Sequence, residues 1–199
     1  MAIKFQYNKT ALQLLEKQLK VRVRALPTIK NKESALRVEV KKAKDDMNRL
    51  ENAYKKLIQE YDHMVSLWGE FDSTLVGVSG IRLAVKKIAG VKTPVLENVE
   101  FYTGSFSVFS KPKWFLDGIE LIKKIALLGI EKEVFNRKME LLDRARKKTT
   151  QKVNLFEKVQ IPGFEDAIRK VKRFMEDEDN LSKSAQKIVK NRQQKEVHK

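Results

Sequence analysis

"IKNKESALRVEVKKAKDDMNRLENAYKKLIQEYDHMVSLWGEFDSTL", residues 29–75, is the stretch that decides the fold. Alternating steps of four and three from Ile29 reach Glu33, Leu36, Val40, Ala43, Met47, Leu50, Tyr54, Leu57, Tyr61, Met64, Trp68, Phe71 and Leu75. Of these 14 positions only Glu33 is neither apolar nor aromatic. A straight α-helix drifts out of a strict seven-residue repeat, because 3.6 residues per turn do not divide seven. A repeat sustained this long is the mark of a left-handed coiled coil, with Leu36, Val40, Met47, Leu50, Leu57, Met64 and Phe71 in its seam. At 1.5 Å per residue the stretch predicts a helix of roughly 70 Å.

Outward from this seam the chain divides into three parts. Upstream, Leu12, Leu15, Leu19, Val23 and Leu26 form another stripe, and Pro27 is expected to bend or briefly interrupt the helix between the two. Residues 1–76 therefore read as an N-terminal coiled-coil arm. Downstream, "LVGVSGIRLAVKKIAGVKTP" holds three of the eight glycines and ends the repeat. The Gly77/Gly80 pair reads as a helix-ending turn. "NVEFYTGSFSVF" then alternates apolar and polar residues around Thr103-Gly104, which predicts a β-hairpin. Residues 77–110 are thus a middle knob.

From Ser110, a candidate N-cap with Pro112 in the first turn, helical spacing returns over residues 111–199. The stripe runs through Ile122, Ile125, Leu128, Phe135, Leu142, Ala145, Val153 and Phe156. A fresh stripe follows at Phe164, Ile168, Val171, Met175, Leu181, Ala185 and Ile188. The two are out of step by about one residue, and Pro162-Gly163 lie between them. Proline costs a helix interior about 3 kcal/mol and glycine about 1, so a kink or a register adjustment is expected there. Two long arms around a small middle part predict an α-dominated fold: an antiparallel two-helix coiled coil carrying a β-hairpin.

Composition agrees with this and excludes several function classes. The chain has 199 residues with 8 Gly and 4 Pro, few turn residues for a sandwich or barrel. Its net charge is +16. Residues 1–60 hold 15 Lys/Arg against 7 Asp/Glu, residues 61–130 hold 8 against 7, and residues 131–199 hold 19 against 12. The two ends are basic and the middle is nearly neutral. There is no cysteine, so disulfide and thiol chemistry are excluded. The charged N-terminus has no signal-peptide pattern, and the apolar run "IALLGI" is far short of the roughly 20 residues that cross a bilayer. Direct membrane insertion is not expected.

Sites for chemistry are not advertised. No GxxxxGK[ST] loop is present, so a nucleotide bound in that manner is not expected, and no cofactor is expected. His63 and His198, the only histidines, lack metal-ligand spacing. The run Glu176-Asp177-Glu178-Asp179 reads as a solvated helix face, and Tyr61, Trp68 and Phe71 read as core. The basic ends (Lys41, Lys42, Lys44, Arg144, Arg146, Lys147, Lys148 and Lys152) admit two readings. They could neutralise phosphates, as in a basic coiled-coil nucleic-acid-binding or tethering protein. Alternatively they flank the seam and face an acidic protein partner. No aromatics are interleaved to stack bases, which favours the second.

"TTQKVNLFEKVQIPGFEDAIRKV", residues 149–171, resembles the C-terminal signature of the D-subunit family of vacuolar/archaeal-type rotary ATPases. The matching residues are Thr149, Thr150, Val153, Asn154, Ile161, Pro162, Ile168 and Glu176. "YNKTALQLLEKQLK" near the start and "KKIAGVKTPVLENVEF" in the middle agree as well, in chain order. The resemblance implies a non-catalytic central rotor shaft, with no cofactor and no nucleic acid. Its implied partners are the catalytic and non-catalytic ATPase ring subunits, the small F subunit of the stalk and the membrane-rotor docking subunit. It implies a peripheral place on the cytoplasmic face of a membrane-bound complex. Thr149, Thr150, Val153, Asn154, Ile161 and Pro162 would then carry the signature or ring contact. Val99, Phe101, Phe106 and Val108 would contact a partner in the middle region.

Overall fold

The computed structural model describes residues 4–62, 65–105 and 111–197, the side chains of 65, 66 and 195–197 excepted. Helix α1 spans Lys9–Glu60, α2 Val65–Trp68, α3 Trp114–Asn154 and α4 Ile161–Val197, with a π-helix at Leu155–Gln160 between the last two. Strands β1 (Val76–Ile88) and β2 (Val91–Thr103) form an antiparallel hairpin in the middle of the chain. The fold is α-dominated with one hairpin, as the patterning predicts. It divides into two compact units: Met1–Asn31 with Thr149–Lys199, and Lys32–Lys148.

In the first unit α1 begins on an N-cap, where Asn8 Oδ1 accepts a hydrogen bond from the Ala11 amide at 2.7 Å. Leu15 packs with Phe164, Ala167, Ile168 and Val171 in a buried core, supported by Phe5, Leu12, Leu19 and Met175. Glu16 pairs with Lys172, Arg22 with Gln160 and Lys30 with Glu157. Rising numbers in α1 meet falling numbers across it, so the pairing is antiparallel. Pro27 does not interrupt α1. It faces solvent, and the helix runs through it. The heptad runs through it as well: Leu12, Leu15, Leu19, Arg22, Leu26 and Ile29 are all buried or half-buried, whereas Val23 is exposed. Arg22, and not Val23, holds the seam position.

In the second unit Leu36 and Ala43 of α1 bury Leu142 of α3 between them, with Val40, Met139 and Ala145 alongside. Glu51 approaches Lys132, and the Lys132 ammonium lies over the Tyr54 ring, again antiparallel. Met47, Leu50 and Leu57 are half-buried on the same stripe. The seam does not stay in one helix to Leu75: α1 ends at Glu60. Trp68 and Phe71 instead join Trp114 and Phe115 in an aromatic cluster, with ring centroids 4.7–6.0 Å apart. Asp72 caps a short turn, Ser73–Leu75, by accepting from the Thr74 amide and hydroxyl. Heptad spacing thus outlasts the helix, because aromatic side chains at those positions find a core of another shape.

The hairpin lies elsewhere than its sequence signal implied. Its turn is Ala89-Gly90, with φ of 48° and 81°, not Thr103-Gly104. Two consecutive positive φ values match the twist of the strands, as in a type I′ turn. Gly77 and Gly80 are strand residues, not a helix-ending turn, and a bulge at Ser79 shifts the register between Val78 and Gly80. Thr103 ends β2, and the Gly104 amide donates to the Leu75 carbonyl. Helix α3 starts at Trp114, so Pro112 precedes it and accepts from the Phe115 amide, instead of lying in the first turn. Met64, Phe106, Val108, Ser110, His63 and His198 lie outside the described residues.

Candidate interaction surfaces

The signature residues gather where α3 passes into α4. Thr149 is buried and Thr150 half-buried in the last turns of α3, Val153 is half-buried, and Asn154 is exposed at its end. Ile161 and Pro162 open α4, half-buried and exposed respectively. Of the kink or register adjustment expected at Pro162-Gly163, the structure has the register adjustment, and α4 includes both residues. The adjustment lies just before them, in the π-helix Leu155–Gln160. A proline lacks the amide that would close an α-turn, and its ring clashes with the carbonyl four residues back. Widening the preceding turn removes that clash and leaves one extra residue in the helix. The buried stripe records it. Thr149, Val153, Phe156 and Gln160 step by four, three and four, and the next steps, to Phe164 and Ile168, are four and four.

Polar side chains of α1 meet this π-helix. Arg22 Nε donates to Gln160 Oε1 at 2.8 Å, and its Nη1 donates to the Gln18 carbonyl at 3.0 Å. The same guanidinium lies 4.3 Å from the centre of the Phe164 ring. Lys30 Nζ is 2.7 Å from Glu157 Oε1. No residue of the π-helix is buried. Apolar patterning does not reveal these pairs, although the heptad does place Arg22 in the seam.

In the second unit Val99 and Phe101 of β2 line a groove of about 540 Å³. Leu50 of α1 and Val134 and Phe135 of α3 share its walls, with Arg49, Glu131 and Lys138 at its margins. It is amphipathic and contains two of the four residues expected to contact a partner. On β1, Ile81, Leu83 and Val85 alternate outward and are 47%, 52% and 68% exposed. On α4 the run Glu176–Asp179 is exposed, directly after the half-buried Met175, and Leu181, Ala185 and Ile188 are exposed as well. The last three carry the apolar spacing of a seam but pack against nothing described within their unit.

Charge on these surfaces is arranged in local pairs. Asp143 accepts from Lys147 and Arg146, which hold its carboxyl below the usual aspartate range, Lys147 foremost. The Lys55 hydrogen bond, then Lys132, lowers Glu51, and the Lys170 hydrogen bond lowers Asp166. Lys41, Lys42, Lys44, Arg144, Lys147, Lys148 and Lys152 are exposed, and Arg146 is half-buried. Among the described residues no group of three or more acidic or histidine side chains is placed to hold a metal ion. No described helix is long and apolar enough to cross a membrane.

Residues 11–191 match the family model for the D subunit of ATP synthase. The chain belongs to that family. It is similar to the V-type ATP synthase D subunit of Borreliella burgdorferi, 30% identical over 94% of each chain. It is also similar to that of Chlamydia pneumoniae, 26% identical over 89% of this chain and 87% of the relative. The matched residues run through both helical arms and the hairpin, so family membership covers both units.

Proposed function

We propose that the chain is the central rotor shaft of a V/A-type ATPase or ATP synthase. It would carry torque between ATP hydrolysis or synthesis in a catalytic ring and proton or sodium transport in the membrane sector. The family match over residues 11–191 carries this reading. The helix pairing supports it, because two helices locked along an apolar seam resist bending better than either alone. In this reading the chain has no catalysis of its own. It engages the catalytic and non-catalytic ring subunits, the small F subunit of the stalk and the membrane-rotor docking subunit, peripherally on the cytoplasmic face. The exposed α4 face at Leu181 and Ile188 and the signature around Thr149–Pro162 are the surfaces offered to the ring. The groove at Val99 and Phe101 is the surface offered to a stalk partner. Exposed basic side chains give weak contacts, each worth less than about 1 kcal/mol, which permits sliding.

The test is reconstitution. The chain alone should neither bind nor hydrolyse ATP; added to its cognate ring and membrane sector, it should restore ATP-driven ion transport. Stoichiometric ATP binding by the isolated chain, or full transport without it, would overturn the proposal.

A further inference from the structure

Arg22 is the one charged residue in the seam stripe of the first unit, among Leu12, Leu15, Leu19, Leu26 and Ile29. A leucine there would pack on Phe164 without desolvating a charge. A charged seam residue costs stability, and its attested use is to select one register among several. What it contacts says which register. Gln160 is the last residue of the π-helix, and Phe164 is the first buried residue of α4. One guanidinium therefore grips the last residue of the π-helix and the first turn of α4 together, and is anchored behind, on the Gln18 carbonyl of its own helix.

The extra residue of a π-turn has no fixed position of its own. The burial of Phe164, Ile168 and Val171 requires an offset somewhere before them, but not at Leu155–Gln160 in particular. No residue of the π-helix is fully buried and Phe156 is its one half-buried apolar side chain, so apolar packing holds it only weakly. Pro162 favours a wide turn nearby, and the polar contacts supply the rest.

We propose that Arg22 is a register latch that pins the one-residue offset of the C-terminal helix at Leu155–Gln160. With the latch closed, the offset stays next to Pro162. With it open, the offset spreads toward Thr149 and the joint loosens, while the Leu15–Val171 core stays folded. The assignment does not depend on the rotor reading, since it concerns the isolated chain.

The experiment is amide hydrogen exchange on the full chain, comparing wild type with Arg22→Leu, Arg22→Lys and Gln160→Glu. Arg22→Leu should retain helix content and melt no lower than wild type, because it completes an apolar seam. Its amides at 155–161 should nevertheless exchange about tenfold faster, as expected for loss of one hydrogen bond to a charged group, and the change should extend into 149–154. Arg22→Lys should accelerate exchange at the same amides, since an ammonium cannot reproduce the planar fork. Gln160→Glu strengthens the acceptor and should slow exchange at the same amides. Unchanged exchange at 155–161 in Arg22→Leu would overturn the latch. So would acceleration spread evenly over the chain, including Val171, which would mean that Arg22 merely contributes to global stability.

Discussion

The same seven-residue repeat is used in two ways. In the second unit it buries Leu36, Ala43 and Leu142 almost completely, in an apolar contact with regular α-helix on both sides. In the first unit, at Arg22 to Ile29, no residue is fully buried, and the facing segment is a π-helix held by Arg22 and Lys30. Periodicity fixes which face of a helix is covered. What covers it, and how tightly, depends on the opposite helix. An unbroken heptad can therefore run past both an apolar core and a joint held by polar contacts.

The contrast is broken most severely in the apolar seam. Leu142→Ala or Leu36→Ala should each cost about 2–5 kcal/mol, read from urea unfolding midpoints, because both side chains are fully buried and leave cavities. A loss below about 1 kcal/mol for both would mean that the second unit is as loosely packed as the joint.

A smaller effect is expected at the turn that the helical patterning did not reveal. Gly90→Ala should cost about 1–2 kcal/mol, the penalty for a Cβ in left-handed backbone, given its φ of 81°. Space is not the cause, since the new Cβ would meet only the flexible Lys32 ammonium at 3.4 Å. Thermal melting would detect it, and an unchanged melt would argue against a turn with positive φ at that residue.

Acid sharpens the comparison further. Asp143 is held below the ordinary aspartate range by Lys147 and then Arg146, so its folded value is lower than its unfolded one. Its contribution is fully present above the unfolded value of about 3.9 and is lost as pH falls through the folded value. Asp143→Asn should therefore lower stability at neutral pH and flatten its decline below about pH 4. A variant whose acid profile runs parallel to wild type would refute the role of this cluster.

The smallest effect is predicted for Lys30→Ala. Both partners of its ion pair are nearly half exposed, so less than about 1 kcal/mol should be lost, and added salt should abolish the difference. A cost equal to that of Leu142→Ala would make the joint as strong as the core and remove the distinction.

Residue order alone settles which side chains face inward along α1 from Ile29 to Leu57, because burying one helical face demands an apolar side chain every three or four residues; upstream the apolar pattern points to Val23, and Arg22 takes the seam position instead. It also reveals the one-residue phase difference between Phe156 and Phe164, since that difference is written in the spacing of apolar residues. Much of the candidate interaction surface is legible too, through Val99, Phe101 and the Thr149–Pro162 signature, but only as residue types in order. Tertiary pairing decides the rest. Ala89-Gly90 is a poor local turn signal, and it is the turn because the strands on either side pair from Val76↔Thr103 to Ile88↔Val91. Trp68 and Phe71 keep heptad spacing yet leave the helix, because Trp114 and Phe115, distant in sequence, offer them an aromatic core. Pro162 marks the helix irregularity, but a proline's clash is with the carbonyl four residues earlier, so the π-helix forms upstream of it. Local spacing is a property of one chain segment, whereas pairing, turn position and the site of an offset depend on the segment it meets.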